Sequence, residues 1–245
     1  MTGLSSAAFV LDKLWHRVLP NARYLPQSRV RTCRACRRAT LILVIGDDEE
    51  FHICVRCRAN LRYEMLATYL FSYEIASLAV LELDPGSPLQ PLLRQARSYT
   101  RSFFRPNVAP GSMRPDGAVC QDVTRLTFPD ESLDLIVSSD VLEHVPDAAA
   151  AFRESQRVLR SGGSHVFTVP PRAATVQRAV VEGGRITHLL PPEYHRDPLD
   201  RSGVLAYWDY GPDLPARFQT PGLEIRRVLG PEGRSGRIVW AARKL

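Results

Sequence analysis

Hydrophobic positions follow one pattern before residue 78 and another after it. Before residue 78, apolar residues recur at helical spacing in an N-terminal segment and again over residues 59–71, which predicts two helices. From Leu78 onward, short continuous apolar runs of the kind found in buried parallel strands alternate with helical segments. The runs predicted as strands are residues 78–83, 119–122, 133–138 and 164–169.

The second half of the chain repeats the alternation of strand and helix. Residues 148–159 carry apolar side chains on one helical face and are followed by Ser161-Gly162-Gly163, which predicts a helix with a glycine stop. Two more strands are predicted over residues 223–228 and 237–241. This alternation predicts a doubly wound α/β sheet whose ligand lies beyond the carboxyl ends of the strands.

The first predicted helix is amphipathic but has no basic polar face, so we expect it to pack on the body of the protein or on a second subunit, as in a homodimer, and not on a membrane. Its apolar positions are Leu4, Ala7, Ala8, Leu11, Leu14, Trp15, Val18 and Leu19. No apolar run approaches the ~20 residues of a membrane span. A secretory signal pattern is absent, so the cytoplasm is the expected location.

Four of the five cysteines form two Cys-x-x-Cys pairs, Cys33 with Cys36 and Cys54 with Cys57. A β-branched run over residues 40–45, an acidic turn over 46–50 and a returning run over 51–53 predict a hairpin that brings the pairs together. This is the pattern of a zinc ribbon, in which four thiolates hold a structural Zn²⁺ and leave no open position for substrate. A redox dithiol and two disulfides are the alternatives. Cys120 is expected to be a small buried residue.

The basic charge of the chain is weak evidence for an anionic partner. Of 32 basic residues, all but Lys13 and Lys244 are Arg, and the net charge is +6. Ten Arg lie between Arg17 and Arg62. These side chains either fill solvated positions or bind the phosphates of a nucleic acid, and solvated positions are the favoured interpretation.

Residues 128–147, FPDESLDLIVSSDVLEHVPD, together with 157–163, RVLRSGG, closely resemble the class I S-adenosylmethionine-dependent methyltransferases. The resemblance covers roughly residues 78–241. It implies a seven-stranded, Rossmann-like sheet with an antiparallel final strand. A four-cysteine ribbon ahead of such a domain also looks like a known subgroup of these enzymes.

The resemblance implies a cofactor loop after the first strand of this domain. Glu82 matches the family's acidic residue and Gly86 the middle glycine of its Gly-x-Gly-x-Gly-like loop, whereas Asp84 and Pro88 replace the outer glycines. We expect Asp84 to tolerate left-handed dihedral angles and Pro88 to begin the next helix. At the end of the next strand, where the family usually has a ribose-binding carboxylate, this chain has Ser102-Phe103-Phe104.

Asp122 matches the residue that accepts from the adenine amino group, with a helix cap as its alternative role. Ser138 to Asp140 would line the pocket where methyl group and acceptor meet. The implied cofactor-binding residues are Glu82, Leu83, Asp84, Pro85, Gly86, Ser87, Ser102, Phe103, Asp122, Val123 and Ser138.

Methyl transfer mainly requires alignment of a nucleophile with the sulfonium methyl carbon, so a catalytic base is optional. His144 and His195 are the candidate bases, and a hydrogen-bonded structural role is the alternative for each. Asp140, Glu143 and His144 also have the spacing of a metal site, as in some RNA 2′-O-methyltransferases, although the Glu-His pair is usually structural in the wider family. Among the aromatic residues of segment 172–218, Trp208 is expected in the core.

The sequence therefore predicts four segments: an N-terminal helix (1–28), a zinc ribbon (29–60), a connecting helix (61–77) and a methyltransferase domain (78–245). The expected function is methyl transfer from S-adenosylmethionine to a small-molecule or sugar-like acceptor. One alternative is an RNA methyltransferase that uses the ribbon's Arg34, Arg37, Arg38, Arg56 and Arg58 for binding. Another is a non-catalytic module of the same fold that binds a partner.

Overall fold

The structure, a computed structural model, describes residues 18–197 and 200–245. The predicted N-terminal helix lies outside these residues except for its last positions, where the chain enters the 3₁₀ helix Leu19–Gln27. Within the described residues, no helix has both the length and the apolar character needed to cross a bilayer.

The first sheet is small and antiparallel, in the order β1-β2-β3. Its strands are β1 (Arg29–Thr32), β2 (Ala39–Val44) and β3 (His52–Cys54). β2 and β3 form the hairpin expected from the sequence, with Ile42 opposite Cys54. β1 was not predicted, because three of its four residues are exposed and it carries no apolar run.

The remaining strands follow in chain order: β4 (Ala79–Glu82), β5 (Ser98–Phe103), β6 (Val119–Cys120), β7 (Leu133–Ser139), β8 (Leu159–Thr168), β9 (Val176–Gln177), β10 (Ala179–Glu182), β11 (Arg185–His188), β12 (Tyr194–Asp197), β13 (Asp200–Leu205), β14 (Trp208–Asp209), β15 (Leu223–Glu232) and β16 (Arg237–Lys244). The α-helices are α1 (Leu61–Leu70), α2 (Gln90–Leu93), α3 (Ala148–Val158) and α4 (Leu214–Phe218), and shorter 3₁₀ segments are Glu49–Phe51, Ile75–Ser77 and Leu142–His144.

The main sheet has seven strands in the order β15-β16-β8-β7-β4-β5-β6. Strands β4 to β8 pair in parallel, and β16 runs antiparallel to both β8 and β15. This confirms the doubly wound sheet with an antiparallel last strand. Small pairs β10-β11, β12-β13 and β9-β14 fill the long connection between β8 and β15.

Each face of the sheet is covered mainly by one helix. Buried apolar residues of α1, such as Met65 and Leu70, pack with Val80 and Val166 on one face. On the other face α3 buries Phe152 among aromatic residues of the β8–β15 connection. Burial of each large apolar side chain contributes roughly 1.5–3 kcal/mol.

A buried histidine links α3 to the sheet. The two ring nitrogens of His165 hydrogen-bond to Ser138 at 2.9 Å and to Ser155 at 3.1 Å. Burial lowers the pKa of His165 to about 3, so its imidazole is neutral. The hydroxyl of Ser138 therefore serves the core, and only the backbone of this residue lies at the strand end.

Two local expectations were wrong. α3 ends at Val158 and the chain passes directly into β8, so Gly162 and Gly163 lie within a strand and do not end the helix. Gly163 is explained by packing, because a Cβ there would lie 3.0 Å from the carbonyl oxygen of Asp134. Pro88 precedes α2 by two residues, and Pro91 is the proline in its first turn.

A charged network joins the small sheet, α1 and the main sheet. Asp140, just after β7, accepts hydrogen bonds from Arg62 of α1 at 3.1 Å and from Arg237 of β16 at 2.8 Å. Glu50, from the turn between β2 and β3, lies 3.2 Å from Arg62 and 3.0 Å from Arg237. We call these four residues the edge network, because they lie at the carboxyl edge of the parallel strands. Burial raises the pKa of Glu50, which the two guanidinium groups oppose.

Removal of Arg237 should destabilise the protein strongly. Its side chain is only 9% exposed, and Arg237→Ala leaves the Asp140 and Glu50 carboxylates with one guanidinium between them. The expected loss in free energy of unfolding is about 3–5 kcal/mol, measured by urea denaturation. Arg226→Ala, which removes a 71% exposed arginine from the neighbouring strand, is the control and should cost about 0–1 kcal/mol. Equal losses in the two variants would contradict a structural role for the edge network.

Candidate active site

The loop after β4 begins at a buried acid. Glu82 is 1% exposed, and one of its carboxylate oxygens accepts a hydrogen bond from the Tyr99 hydroxyl. The other oxygen, Oε1, is buried and has no hydrogen-bond partner within the described residues. Burial raises the pKa of Glu82 to about 7. A buried oxygen without a partner can accept a hydrogen bond from a donor group on a ligand.

Asp84 organises the loop through its side chain. Its carboxylate accepts from the Gly86 N–H at 2.8 Å and from the Tyr63 hydroxyl of α1 at 2.6 Å. The backbone of Asp84 is not left-handed, contrary to expectation. The residue instead forms a side-chain turn that replaces the glycine of the family pattern. A Cβ built on Gly86 would meet only the Asp84 carboxylate, at 3.7 Å, so the space beside Gly86 is open.

The neighbouring strand ends complete this edge. Ser102 is buried and donates to the Glu82 carbonyl at 3.0 Å, while the guanidinium of Arg114 lies 5.2 Å from the centre of the Phe103 ring. Asp122 accepts from the N–H and hydroxyl of Thr124 through Oδ1, which is the capping role considered as its alternative. In the described part of the chain its Oδ2 accepts no hydrogen bond, so a second donor can still bind there.

These residues fit the cofactor that the sequence implies, with one exception. Glu82, the loop of residues 83–87, Ser102 and Asp122 lie at the carboxyl ends of the adjacent strands β4, β5 and β6, where ligands of doubly wound folds bind. Glu82 Oε1 and Asp122 Oδ2 are unpartnered acceptors, and the space beside Gly86 is open. The ribose is the exception, because Phe103 under Arg114 stands where the family has a carboxylate.

The structure brings both candidate histidines to one buried carboxylate. The rings of His144 and His195 meet edge to face, with centroids 4.9 Å apart. Nε2 of His144 lies 3.7 Å and Nδ1 of His195 lies 3.6 Å from Oε1 of Glu143. Glu143 is 1% exposed, and neither of its oxygens forms a hydrogen bond with the described residues. We call these three residues the Glu-His cluster.

The outer nitrogen of each ring is held in place. Nδ1 of His144 lies 2.9 Å from the Leu205 carbonyl oxygen, and Nε2 of His195 lies 3.0 Å from the Glu193 carboxylate. Glu193 is bound in turn by Arg172 and Arg178, and both arginines also contact Asp209. Sequence reasoning missed Glu193 and Asp209, because their partners come from separate short strands. The only indication in the sequence was the high proportion of charged residues in the segment between β8 and β15, which has few apolar runs.

The aromatic residues of this segment have mixed roles. Trp208 is buried and donates its indole N–H to the Pro146 carbonyl, and Tyr210 donates its hydroxyl to the Leu142 carbonyl. Both fix the turn that carries the Glu-His cluster, and the expectation that Trp208 is a core residue is confirmed. Tyr194 is 57% exposed beside the cluster.

The four ribbon cysteines converge on one point. Their sulfur atoms lie within 4.8 Å of one another, with Cys33 and Cys57 3.7 Å apart and Cys36 and Cys54 4.0 Å apart. Tetrahedral Zn–S bonds of about 2.3 Å place neighbouring sulfurs roughly 3.8 Å apart, so the donor set fits Zn²⁺. The two knuckles share one geometry, since Arg37 and Arg58 each have a positive φ and donate back to the carbonyl of the first cysteine.

A groove of about 840 Å³ runs between the ribbon knuckles and the cofactor loop. It is lined by five arginines and by no acidic residue of the described chain: Arg37, Arg38, Arg56, Arg58 and Arg94. None of the five forms an ion pair with a described carboxylate. Arg34 is different, because it pairs with Glu64 and Glu232. The groove reaches Gly86 and Ser87 at its inner end.

Comparison with known proteins agrees with this geometry. Residues 86–167 match the family described as a methyltransferase domain. The chain is 33% identical over 110 residues to a sarcosine/dimethylglycine N-methyltransferase of Halorhodospira halochloris, which covers 42% of this chain and 39% of that protein. It is also 33% identical over 109 residues to a probable S-adenosylmethionine-dependent methyltransferase of Mycolicibacterium smegmatis, covering 44% of this chain and 35% of that protein. The chain thus matches well under half the length of either relative.

Among solved structures, an S-adenosylmethionine-dependent methyltransferase from Mesorhizobium loti is 19% identical, with a TM-score of 0.49 over 74% of this chain and 97% of that one. Residues 86–167 therefore form a methyltransferase domain, and over this part the chain is similar to S-adenosylmethionine-dependent methyltransferases.

Proposed function

We propose that this protein transfers a methyl group from S-adenosylmethionine to a small-molecule or sugar-like acceptor. The observation that carries the proposal is the carboxyl edge of β4 and β6, where Glu82 and Asp122 each keep one carboxylate oxygen that accepts no hydrogen bond from the described residues. On a sheet with this strand order, that edge is the ligand-binding edge.

The cofactor would lie across this edge. Glu82 and the loop of Leu83, Asp84, Pro85, Gly86 and Ser87 would hold its amino acid end. Asp122 would accept from the adenine amino group and Val123, next to it, would pack against the base. Ser102 and Phe103 would border the ribose without a charged contact, and Ser138 would contribute backbone only. Each assignment rests on the resemblance and on the placement of these residues at adjacent strand ends.

The reaction needs little covalent chemistry from the protein. An acceptor lone pair bonds to the methyl carbon, the carbon–sulfur bond pair returns to sulfur, and the acceptor loses a proton. When bound, S-adenosylmethionine supplies the electrophilic methyl group. His144 and His195 are the proposed catalytic residues, because they are adjacent, partly exposed and just beyond the end of β7. They would orient the acceptor and receive its proton.

A small acceptor is favoured by the setting of the Glu-His cluster. The segment between β8 and β15 packs over the turn at Leu142–His144, with the Tyr207 N–H donating to the Glu143 carbonyl at 2.7 Å. The same segment contributes the Leu205 carbonyl and the Glu193 carboxylate that contact the two histidines, so it encloses the cluster from several sides. The Halorhodospira relative is named a sarcosine/dimethylglycine N-methyltransferase, which agrees with a small acceptor.

We also propose that the four cysteines hold a structural Zn²⁺. A sulfur-only, four-coordinate site leaves no position for substrate, so the metal would stabilise the ribbon and take no part in methyl transfer. The five cysteines form no disulfide, and Cys120 is buried as expected, which suits a protein of the reducing cytoplasm.

Calorimetric titration with S-adenosylhomocysteine tests the cofactor site. We expect micromolar binding to the zinc-loaded protein, no detectable binding to Gly86→Arg, because the arginine fills the space beside the loop, and about tenfold weaker binding to Asp122→Ala, which loses one charge-assisted hydrogen bond. Asp130→Ala, the same change at a 75% exposed position, is the control and should bind like the parent.

Absence of binding to a folded, zinc-loaded parent would contradict the enzyme assignment and support a non-catalytic binding module. The departures from the family pattern at Asp84, Pro88 and Phe103 motivate this alternative. A change in Asp130→Ala as large as that in Asp122→Ala would contradict the residue assignment alone.

RNA is a second candidate acceptor, and the arginine-lined groove is the observation that favours it. Five arginines that form no ion pair with a described carboxylate line a groove that also includes Gly86 and Ser87 of the proposed cofactor loop, and such a surface suits phosphate binding. The geometry removes Arg34 from the set suggested by the sequence and adds Arg94.

This second candidate predicts salt-dependent RNA binding. Neutralising Arg37, Arg38, Arg56 and Arg58 with Gln should remove up to four phosphate contacts, which lowers the slope of log K against log salt by about 3–4. Filter binding of ribosomal or transfer RNA at several salt concentrations measures it. Arg226→Gln and Arg227→Gln, away from the groove, are the control. Equal slopes for parent and groove variant would exclude RNA binding through this surface.

A further inference from the structure

The Glu-His cluster has the arrangement of a metal site, and it differs from the one that the sequence suggested. Asp140 was a candidate ligand by spacing, but its carboxylate is taken by Arg62 and Arg237. His195, 52 positions beyond Glu143, takes its place beside Glu143 and His144. The cluster therefore combines one carboxylate with two imidazoles, in contrast to the sulfur set of the ribbon.

The inner atoms of the cluster are free to bind a ligand. One oxygen of Glu143 and one nitrogen of each ring lie within 4.8 Å of one another. With metal–ligand bonds of about 2.0–2.2 Å, donors on one ion lie roughly 3–4 Å apart, close to the 3.6 and 3.7 Å found here. Both carboxylate oxygens of Glu143 are buried and without a hydrogen bond in the described chain. Burial of a carboxylate without a partner costs free energy unless a cation or a hydrogen-bond donor binds it.

The contacts of the outer ring nitrogens, which face away from Glu143, independently support a metal site. A ligating imidazole usually donates its other N–H to a carbonyl or a carboxylate, which fixes the ring and raises its basicity. His144 does so toward the Leu205 carbonyl and His195 toward the Glu193 carboxylate. Arg172 and Arg178 orient Glu193 in turn. When the two imidazoles are neutral, these contacts leave each inner nitrogen as an acceptor that faces Glu143.

We propose that Glu143, His144 and His195 bind one divalent first-row transition cation. Two imidazoles with one carboxylate favour ions such as Mn²⁺, Fe²⁺ or Zn²⁺, and the partial exposure of both histidines leaves positions open for water or acceptor. This site is separate from the cysteine site in ligands and in place. In the proposed methyl transfer, on which this last role rests, the cation would bind an acceptor oxygen and lower its pKa, and the two imidazoles would hold the cation instead of receiving the proton.

Titration with Mn²⁺, followed by the electron paramagnetic resonance of the free ion, tests the site without any need for activity. Mn²⁺ is a suitable probe because the thiolates of the ribbon, already filled with one Zn²⁺ per chain, disfavour it. We expect one Mn²⁺ per chain, at least tenfold weaker binding in Glu143→Gln and His195→Ala, and roughly 10–100-fold weaker binding in Glu193→Gln. His188→Ala, at an exposed position on β11, is the matched control and should bind like the parent.

No Mn²⁺ binding by the parent would overturn the proposal, as would equal binding in parent and cluster variants. The cluster would then be an ion pair between the Glu143 carboxylate and a protonated histidine. If Glu143→Gln does not fold, His195→Gln at its partly exposed position decides the question. The S-adenosylhomocysteine titration is independent of this result, so failure of the metal site and failure of the proposed function can be distinguished.

Discussion

The pairing of Asp140 with Arg62 and Arg237 is the interaction on which the arrangement of the site depends. Asp140 follows the central strand β7, has a positive φ, and is reached by one cation from α1 and another from β16. Glu50 of the ribbon neutralises the second charge of the pair of arginines. Because all four groups are largely buried, none can be removed alone without leaving an unpaired charge. The network therefore fixes the ribbon against the carboxyl edge of the sheet.

This placement gives the ribbon a role beyond its own fold. Tyr63, next to Arg62 on α1, donates to Asp84 and so supports the cofactor loop directly. The ribbon knuckles form one wall of the arginine-lined groove, and the cofactor loop forms the other. The ribbon thus borders both the proposed cofactor site and the proposed entrance for an anionic acceptor. In that arrangement, the proposed Zn²⁺ would also hold the ribbon in the position that shapes this edge of the sheet.

Much of the fold followed from the sequence because its signals are local. Buried parallel strands such as β4 and β7 appear as apolar runs, and the cysteine spacing indicates the ribbon. The departures also have local causes. Asp84 replaces a glycine through a side-chain turn, and Gly162 serves a strand because Leu159 already begins to pair with β7. No periodicity reveals β1 or the pair β10-β11, since most of their residues are exposed.

The candidate site was less predictable, because its contacts span long sequence separations. His144 and His195 could be suspected one by one, but only the fold shows that they share Glu143 and that Glu193 orients one of them. The same fold removes Asp140 from that group by giving it two arginine partners. The spacing of Asp140, Glu143 and His144 in the sequence does not show that Asp140 pairs with arginines whereas Glu143 faces histidines, because the arginines and His195 come from distant parts of the chain.

A comparison of cofactor affinity with and without zinc tests most directly whether the ribbon and the main sheet together form one site. S-adenosylhomocysteine would be titrated calorimetrically into zinc-loaded protein and into protein stripped of zinc by a chelator and checked by elemental analysis. We expect at least tenfold weaker binding after stripping, because Tyr63 and the edge network lose their support, and recovery when zinc is restored. Equal affinity in the two forms would show that the ribbon does not shape the cofactor site.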